Sequence, residues 1–157
     1  MPSRRKLIEL DADEVRDYLI AEKTLIIVSN GNRGYPHAMP MWFAVDDDDA
    51  IVCTTFRKSQ KVLNWQRDAK ATLLVETGEE YAELKGVMIY ASCEIVDELE
   101  AVKDTLAAIN SKGRELGDGE WEKLREAVSG TAPKRVVLRF KPERYITWDH
   151  TKLGGRY

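Results

Sequence analysis

Apolar positions along this chain recur with two different periods, and the change from one to the other marks its elements. The first block has helical spacing, with Val15, Tyr18 and Leu19 on one face. Asp11 stands before it as an N-cap with Glu14 three residues on, a capping-box pairing, and Leu10 with Val15 fits the hydrophobic staple around that cap. Over 24–29 the pattern becomes a run, Leu25-Ile26-Ile27-Val28, whose β-branched content predicts a strand. Asn30-Gly31-Asn32-Arg33-Gly34 reads as a tight hairpin turn, because Gly and Asn accept positive φ. A second strand is predicted over 35–45, with His37, Met39, Met41 and Phe43 on one face and Ala38, Pro40, Trp42 and Ala44 on the other. Pro40 has no amide hydrogen for a ladder, which places this strand at an edge or a bulge.

Asp46 to Asp49 reads as a solvated acidic turn, since four adjacent carboxylates lack the spaced ligands and the glycine of a calcium loop. A third strand runs through Ile51-Val52-Cys53-Thr54-Thr55, and a short helix follows through Val62, Leu63 and Trp65 to about residue 67. Further strands are predicted over 71–76 and 81–96, the second carrying Gly86 as the mark of a bulge or a close backbone approach. Helices over 98–110 and 120–128 are split by Gly113, Gly117 and Gly119. The last strand spans about 134–147 with a break at Pro142, and 148–157 forms a polar, glycine-bearing tail. Hairpin-linked strands interrupted only by short helices predict an antiparallel barrel with helical insertions, not alternating βαβ units.

Composition narrows this picture. A chain of 157 residues is the size of one domain, 1–157, and long enough to bury a core without staples. The net charge of -3 speaks against a general nucleic-acid binder and leaves room for a local basic site. No apolar run approaches the roughly 18 residues of a membrane helix, and the basic start has no apolar stretch or cleavage site behind it, so neither a membrane partner nor a signal peptide is expected. Cys53 and Cys93 lie in apolar stretches and read as buried, reduced thiols, in keeping with a cytoplasmic protein. No Cys/His cluster has the spacing of a metal site.

Three segments carry candidate chemistry. The most informative is Thr54-Thr55-Phe56-Arg57-Lys58-Ser59-Gln60-Lys61, where a strand passes into a helix. The first amides of a helix lack intrahelical partners and carry partial positive charge, so an anion is welcome there. Arg57, Lys58 and Lys61 stand beside those amides, and Thr55 and Ser59 add hydroxyl donors. The same residues also read as a solvated basic turn with Ser59 as an ordinary N-cap. This is not a Walker loop, for it lacks the Gly-rich stretch and the Gly-Lys-Ser/Thr ending. The second segment, Pro40-Met41-Trp42, offers a flat apolar strand face that suits an aromatic ring system and equally suits core or edge packing; His37 beside it reads as a hydrogen-bonded structural histidine. In the third, Trp148 to Tyr157, Asp149 and His150 are adjacent, a spacing that seldom orients two side chains toward each other, and no nucleophile motif completes a triad.

Taken in order, these segments resemble the pyridoxamine 5'-phosphate oxidase-like split-barrel superfamily, and within it the branch of flavin and deazaflavin oxidoreductases that includes users of coenzyme F-420. The resemblance rests on Gly34-Tyr35-Pro36-His37 with Met41-Trp42-Phe43, on Lys58-Ser59-Gln60-Lys61 with Asn64 and Arg67-Asp68, and on Leu84-Lys85-Gly86-Val87 with Glu94-Ile95-Val96. Lys134-Arg135-Val136-Val137 and Trp148-Asp149-His150-Thr151-Lys152-Leu153-Gly154 complete it. It implies a mainly β fold, a six-stranded antiparallel split barrel, paired as a homodimer with two cofactors in grooves between the subunits. The cofactor phosphate then meets Thr55, Arg57, Lys58, Ser59 and Lys61, the ring system lies along Pro40, Met41 and Trp42, and the partner's Trp148 and Lys152 help cover it. The implied reaction is hydride transfer between F-420 or FMN and a small conjugated substrate, with no firmly assigned catalytic side chain. Arg4, Arg5 and Lys6 are available to the anionic tail of F-420 or form a solvated terminus. A pyridoxal-phosphate-forming oxidase is not expected, because the extra C-terminal substrate-binding stretch of those enzymes is missing. A non-catalytic flavin-binding or carrier module and a dimeric structural protein with a vestigial site are the alternatives.

Overall fold

In the computed structural model, which describes residues 3–155, the strands are β1 (Thr24–Asn30), β2 (Pro36–Trp42), β3 (Ala44–Val45), β4 (Ile51–Phe56), β5 (Lys70–Thr77), β6 (Lys85–Val96) and β7 (Arg135–Asp149). They form one antiparallel sheet in the order β2-β1-β5-β6-β7-β4-β3. β2 and β3 are its two edges, yet in sequence only Phe43 separates them. One residue of chain spans roughly 3.5 Å. The sheet therefore has to curl until its edges nearly meet, which makes it a half-barrel. The strand expected over 35–45 is cut at this crossing, so the sheet has seven strands instead of the six expected. The Phe43 side chain turns fully into the core at the cut.

The alternation read from sequence sets the inner face. Leu25 and Ile27 of β1, Leu73 and Val75 of β5, Val87 and Ile89 of β6, and Leu138 and Phe140 of β7 are all buried there. The helices are α1 (Arg4–Leu7), α2 (Ala12–Ala21), α3 (Gln60–Arg67), α4 (Leu99–Ser111) and α5 (Glu120–Ala127). α2 begins with the expected box: Glu14 N–H donates to Asp11 at 2.9 Å and Asp11 N–H donates to Glu14 at 2.8 Å. α3 sends Val62 and Trp65 into the core, where the Trp65 ring meets Phe140 edge-on at 5.1 Å. α4 packs on the other face of β4 and β7, burying Val102 with Val52 and Val137 in a second, smaller core.

Three boundaries differ from the sequence reading. Residues Tyr81–Glu83 form a 3-10 turn before β6 begins at Lys85. Pro142 does not break β7; the ladder shifts register between Tyr90 and Ala91, opposite Arg144 and Pro142, so the proline is absorbed in a bulge. Trp148 and Asp149, expected in the tail, end β7, and a 3-10 turn follows at His150–Leu153. Arg156 and Tyr157 of the expected tail lie outside the described residues. Gly86 is explained by the same extension. It faces Trp148 across the β6–β7 ladder, and a Cβ there would run into the indole ring.

On the face of the sheet away from the inner core, the ladder aligns Pro40, Ile26, Leu74, Met88 and Ile146 in one cross-strand row. Pro40 and Ile26 are exposed, and Leu74, Met88 and Ile146 are only half-buried. Cys53 and Cys93 are buried and unbridged; burial pushes the Cys93 thiol up to about 12 and moves Cys53 the same way. No helix among the described residues is long and apolar enough to cross a membrane.

Candidate functional site

The predicted ring wall lies at a cleft. Pro40, Met41 and Trp42 at the β2 edge face Leu106, Ile109 and Asn110 of α4 across a space of about 540 Å³, with Thr54 and Arg135 also lining it. β2 is an edge strand, one of the settings that Pro40 allows. Trp42 is 66% exposed, an unusual state for a large apolar ring and one that leaves its face available to a ligand. No side-chain acid, histidine or cysteine lines this α4 cleft among the described residues.

Arg135 is the feature that sequence reasoning missed. Its guanidinium stacks on the half-exposed Phe56 ring at 4.4 Å, and Nη1 donates to Thr54 Oγ1 at 3.3 Å. Its Nε is buried with no hydrogen-bond partner. The available signal was an arginine opening the last strand in Lys134-Arg135-Val136-Val137.

At the end of β4 the chain enters α3 through the basic turn. Ser59 occupies the N-cap position with extended backbone, but its side chain makes no capping bond. Instead the Thr55 hydroxyl donates to it at 3.3 Å. The first amides of α3 thus have no cap from the Ser59 side chain and are left for water or an anion. Lys58 is exposed and forms no ion pair among the described residues. Lys61 is half-buried, and desolvation lowers its pKa from the ordinary lysine range.

Arg57 is not free in this arrangement. Nε and Nη2 donate to the two carboxylate oxygens of Asp97 at 3.0 and 2.7 Å, and Nη1 donates to the Pro133 carbonyl at 3.0 Å. The same fork holds the Asp97 carboxyl below the usual range. Trp148 and Lys152 lie elsewhere. Trp148 is half-buried on Gly86, and Lys152 donates to Glu14 at 2.7 Å and to the Glu9 carbonyl at 2.8 Å. Arg135 and Trp148 stand near opposite ends of β7, on the order of 40 Å of extended strand apart. The structure therefore brings together Pro40, Met41 and Trp42 in the α4 cleft, sets Thr55, Lys58, Ser59 and Lys61 at the neighbouring junction, and places Trp148 and Lys152 at the far end of the chain's own sheet.

The adjacent Asp149 and His150 face apart, as their spacing implied. Asp149 accepts from the Thr151 amide and hydroxyl and pairs with Lys85 at 3.4 Å, while His150 Nδ1 lies 2.7 Å from the Tyr81 carbonyl. His37 departs from expectation: its Nδ1 is buried without a partner. The acidic turn is held by its own backbone and by Arg139, which pairs with Asp46 at 2.8 Å and Asp48 at 3.1 Å.

A second cleft of about 780 Å³, the α2 cleft, lies between α1, α2 and residues 144–147 of β7. Its floor is Leu10, Val15, Leu19 and Val45, and Arg5, Arg16, Arg144, Asp13 and Asp49 rim it. Arg16 is already paired with Asp49.

The chain matches the pyridoxamine 5'-phosphate oxidase family over residues 11–149. A crystal structure of a conserved hypothetical protein from Mycobacterium tuberculosis is 31% identical, with a TM-score of 0.85, over 98% of this chain and 93% of that one. An FAD-binding protein of Mesorhizobium loti shares the fold at 15% identity and a TM-score of 0.62, covering 88% of this chain and 94% of its own. A solved F420 reductase does so at 16% identity and a TM-score of 0.57, covering 83% and 94%. No curated protein sequence matches. Half-barrel topology, the long stretch matched and these likenesses agree: the chain belongs to the pyridoxamine 5'-phosphate oxidase family.

Proposed function

We propose that the chain is a homodimeric oxidoreductase that binds coenzyme F-420 or FMN and transfers a hydride between it and a small conjugated organic substrate. The observation that carries this reading is the adjacency of an apolar strand edge, exposed Pro40 and Trp42 with half-buried Met41 between them, to a strand–helix junction whose amides have no side-chain cap. Solved structures of the same fold described as an F420 reductase and an FAD-binding protein support the cofactor class.

In this reading Pro40, Met41 and Trp42 hold the ring system, Thr55, Lys58, Ser59 and Lys61 receive the phosphate, and Arg57 contributes only if its pair with Asp97 opens. The bound cofactor supplies the hydride chemistry. The chain's residues position the reactants, exclude water and neutralise the phosphate. Trp148 and Lys152, which stand far from the cleft of their own chain, are assigned in this reading to the ring of the second subunit. The apolar row from Pro40 to Ile146 supplies a face for that pairing. A cytoplasmic setting without nucleic-acid or membrane partners completes the proposal.

Among the described residues no carboxylate, histidine or cysteine lines the cleft, and this favours one second reading, a non-catalytic flavin-binding or carrier module. Titration of the purified protein with F-420, FMN and heme separates the two. The enzyme reading expects saturable binding of F-420 or FMN at one site per chain and reduction of an enone or quinone. Binding without turnover supports the carrier, and no binding by any of the three contradicts both.

A further inference from the structure

Arg135 opens β7 on the face of the sheet that α4 covers, in register with Phe56 at the end of β4. Phe56 holds its guanidinium plane at 4.4 Å, Thr54 meets one nitrogen, and Nε is buried and unpartnered. Among the described residues no carboxylate lies within ion-pair distance of it, whereas Arg57, Arg125 and Arg139 each engage at least one. A partly desolvated guanidinium without a counter-charge is unfavourable, and an anion removes that penalty. Held over Phe56 and tethered to Thr54, the guanidinium is pre-oriented, and its terminal Nη groups, not the buried Nε, are the donors that would meet a phosphate with little side-chain freedom left to lose.

We propose that Arg135, and not Arg57, is the arginine that holds the cofactor phosphate. This rests on the cofactor reading above and adds to it a residue outside the basic turn. Thr54 faces Arg135 and Thr55 faces Ser59, so the end of β4 carries anion-binding groups on both of its faces. Arg135 also lines the cleft that contains the ring wall, which Arg57, turned to Asp97 and Pro133, does not.

Paired ligands that differ in the phosphate provide the test: FMN against riboflavin, and F-420 against its deazaflavin chromophore without the phosphate-bearing tail. Each is titrated by fluorescence into the full-length wild-type, Arg135→Ala, Arg135→Lys and Arg57→Ala proteins. Arg135→Ala should weaken the phosphorylated ligand about 10- to 100-fold while the phosphate-free ligand stays within about twofold. Arg135→Lys should fall between, because it keeps the charge and loses the fork. Arg57→Ala should cost the phosphorylated ligand clearly less than Arg135→Ala does, and an equal or larger cost would overturn the choice between the two arginines. Equal losses for both ligands, or no loss for either, overturn the assignment, and Arg135→Lys carries the same comparison should the alanine variant fail to fold. A wild-type protein that binds no member of either pair overturns the cofactor reading itself, a result separable from the other two.

Discussion

The two clefts differ in a way that volume alone conceals. The α2 cleft is the larger, yet its rim is mixed in charge and Arg16 already has its carboxylate in Asp49. The α4 cleft is smaller, yet it holds an exposed tryptophan wall and an arginine whose Nε has no partner. Ligand binding gains most where a site is left incomplete by the chain itself, because there the ligand supplies contacts that folding did not. The smaller cleft is therefore the better candidate.

The largest expected effect comes from the residue between the clefts. Phe43 is fully buried, with Trp42 of the α4 cleft on one side of it in sequence and Val45 of the α2 cleft two residues beyond. Phe43→Ala should cost about 3–5 kcal/mol in chemical denaturation and loosen both clefts together. A loss under about 1 kcal/mol would show that the crossing does not depend on this ring.

Next in size is the contrast between the two cation sets. Lys58→Ala with Lys61→Ala should weaken FMN or F-420 binding by roughly 1.5–3 kcal/mol, since charge-assisted contacts are lost and Lys58 is partly screened by solvent. Arg144→Ala, at the α2 cleft, should leave that affinity unchanged by the same titration. The reverse outcome would move the ligand to the larger cleft.

A smaller effect sharpens the α4 side. Lys112 caps the C-terminal end of α4, donates to the Glu22 carbonyl and sits 3.3 Å from the centroid of the Phe43 ring. Burial lowers its pKa from 10.5 to about 8. Between those two values the unfolded chain holds a proton that the folded chain has released, so this residue makes stability rise as pH climbs through the window; below it, both states are charged. Urea midpoints for wild type should therefore gain on those of Lys112→Met from pH 8 to pH 10, and parallel profiles would contradict the assignment. The smallest effect belongs to the exposed Arg16–Asp49 pair at the α2 cleft: Arg16→Ala should change stability by less than about 1 kcal/mol in the same assay.

What sequence could and could not reveal follows from the range of each interaction. The α2 capping box spans three residues and the strand alternation of Leu25 and Ile27 spans two, so both are legible locally. The missing amide at Pro40 signalled an edge or a bulge, and the sheet makes β2 an edge. Gly86 signalled a close approach, but its partner Trp148 arrives from the last strand. The cut at Phe43 depends on the sheet closing on itself, which no local period encodes. At the site, the wall and the basic turn were visible as residue types. That Asp97 occupies Arg57 and that Phe56 orients Arg135 are facts of tertiary packing between separate elements. Both arginines look alike in the sequence, and only their neighbours distinguish them.

A crystal structure of the protein soaked with FMN or F-420 tests the central claim most directly. The account predicts a dimer with the ring system against Pro40, Met41 and Trp42 and the phosphate within hydrogen-bonding distance of Ser59, Lys58 and Arg135. A ligand seated in the α2 cleft, or a phosphate that touches none of those three side chains, would contradict it.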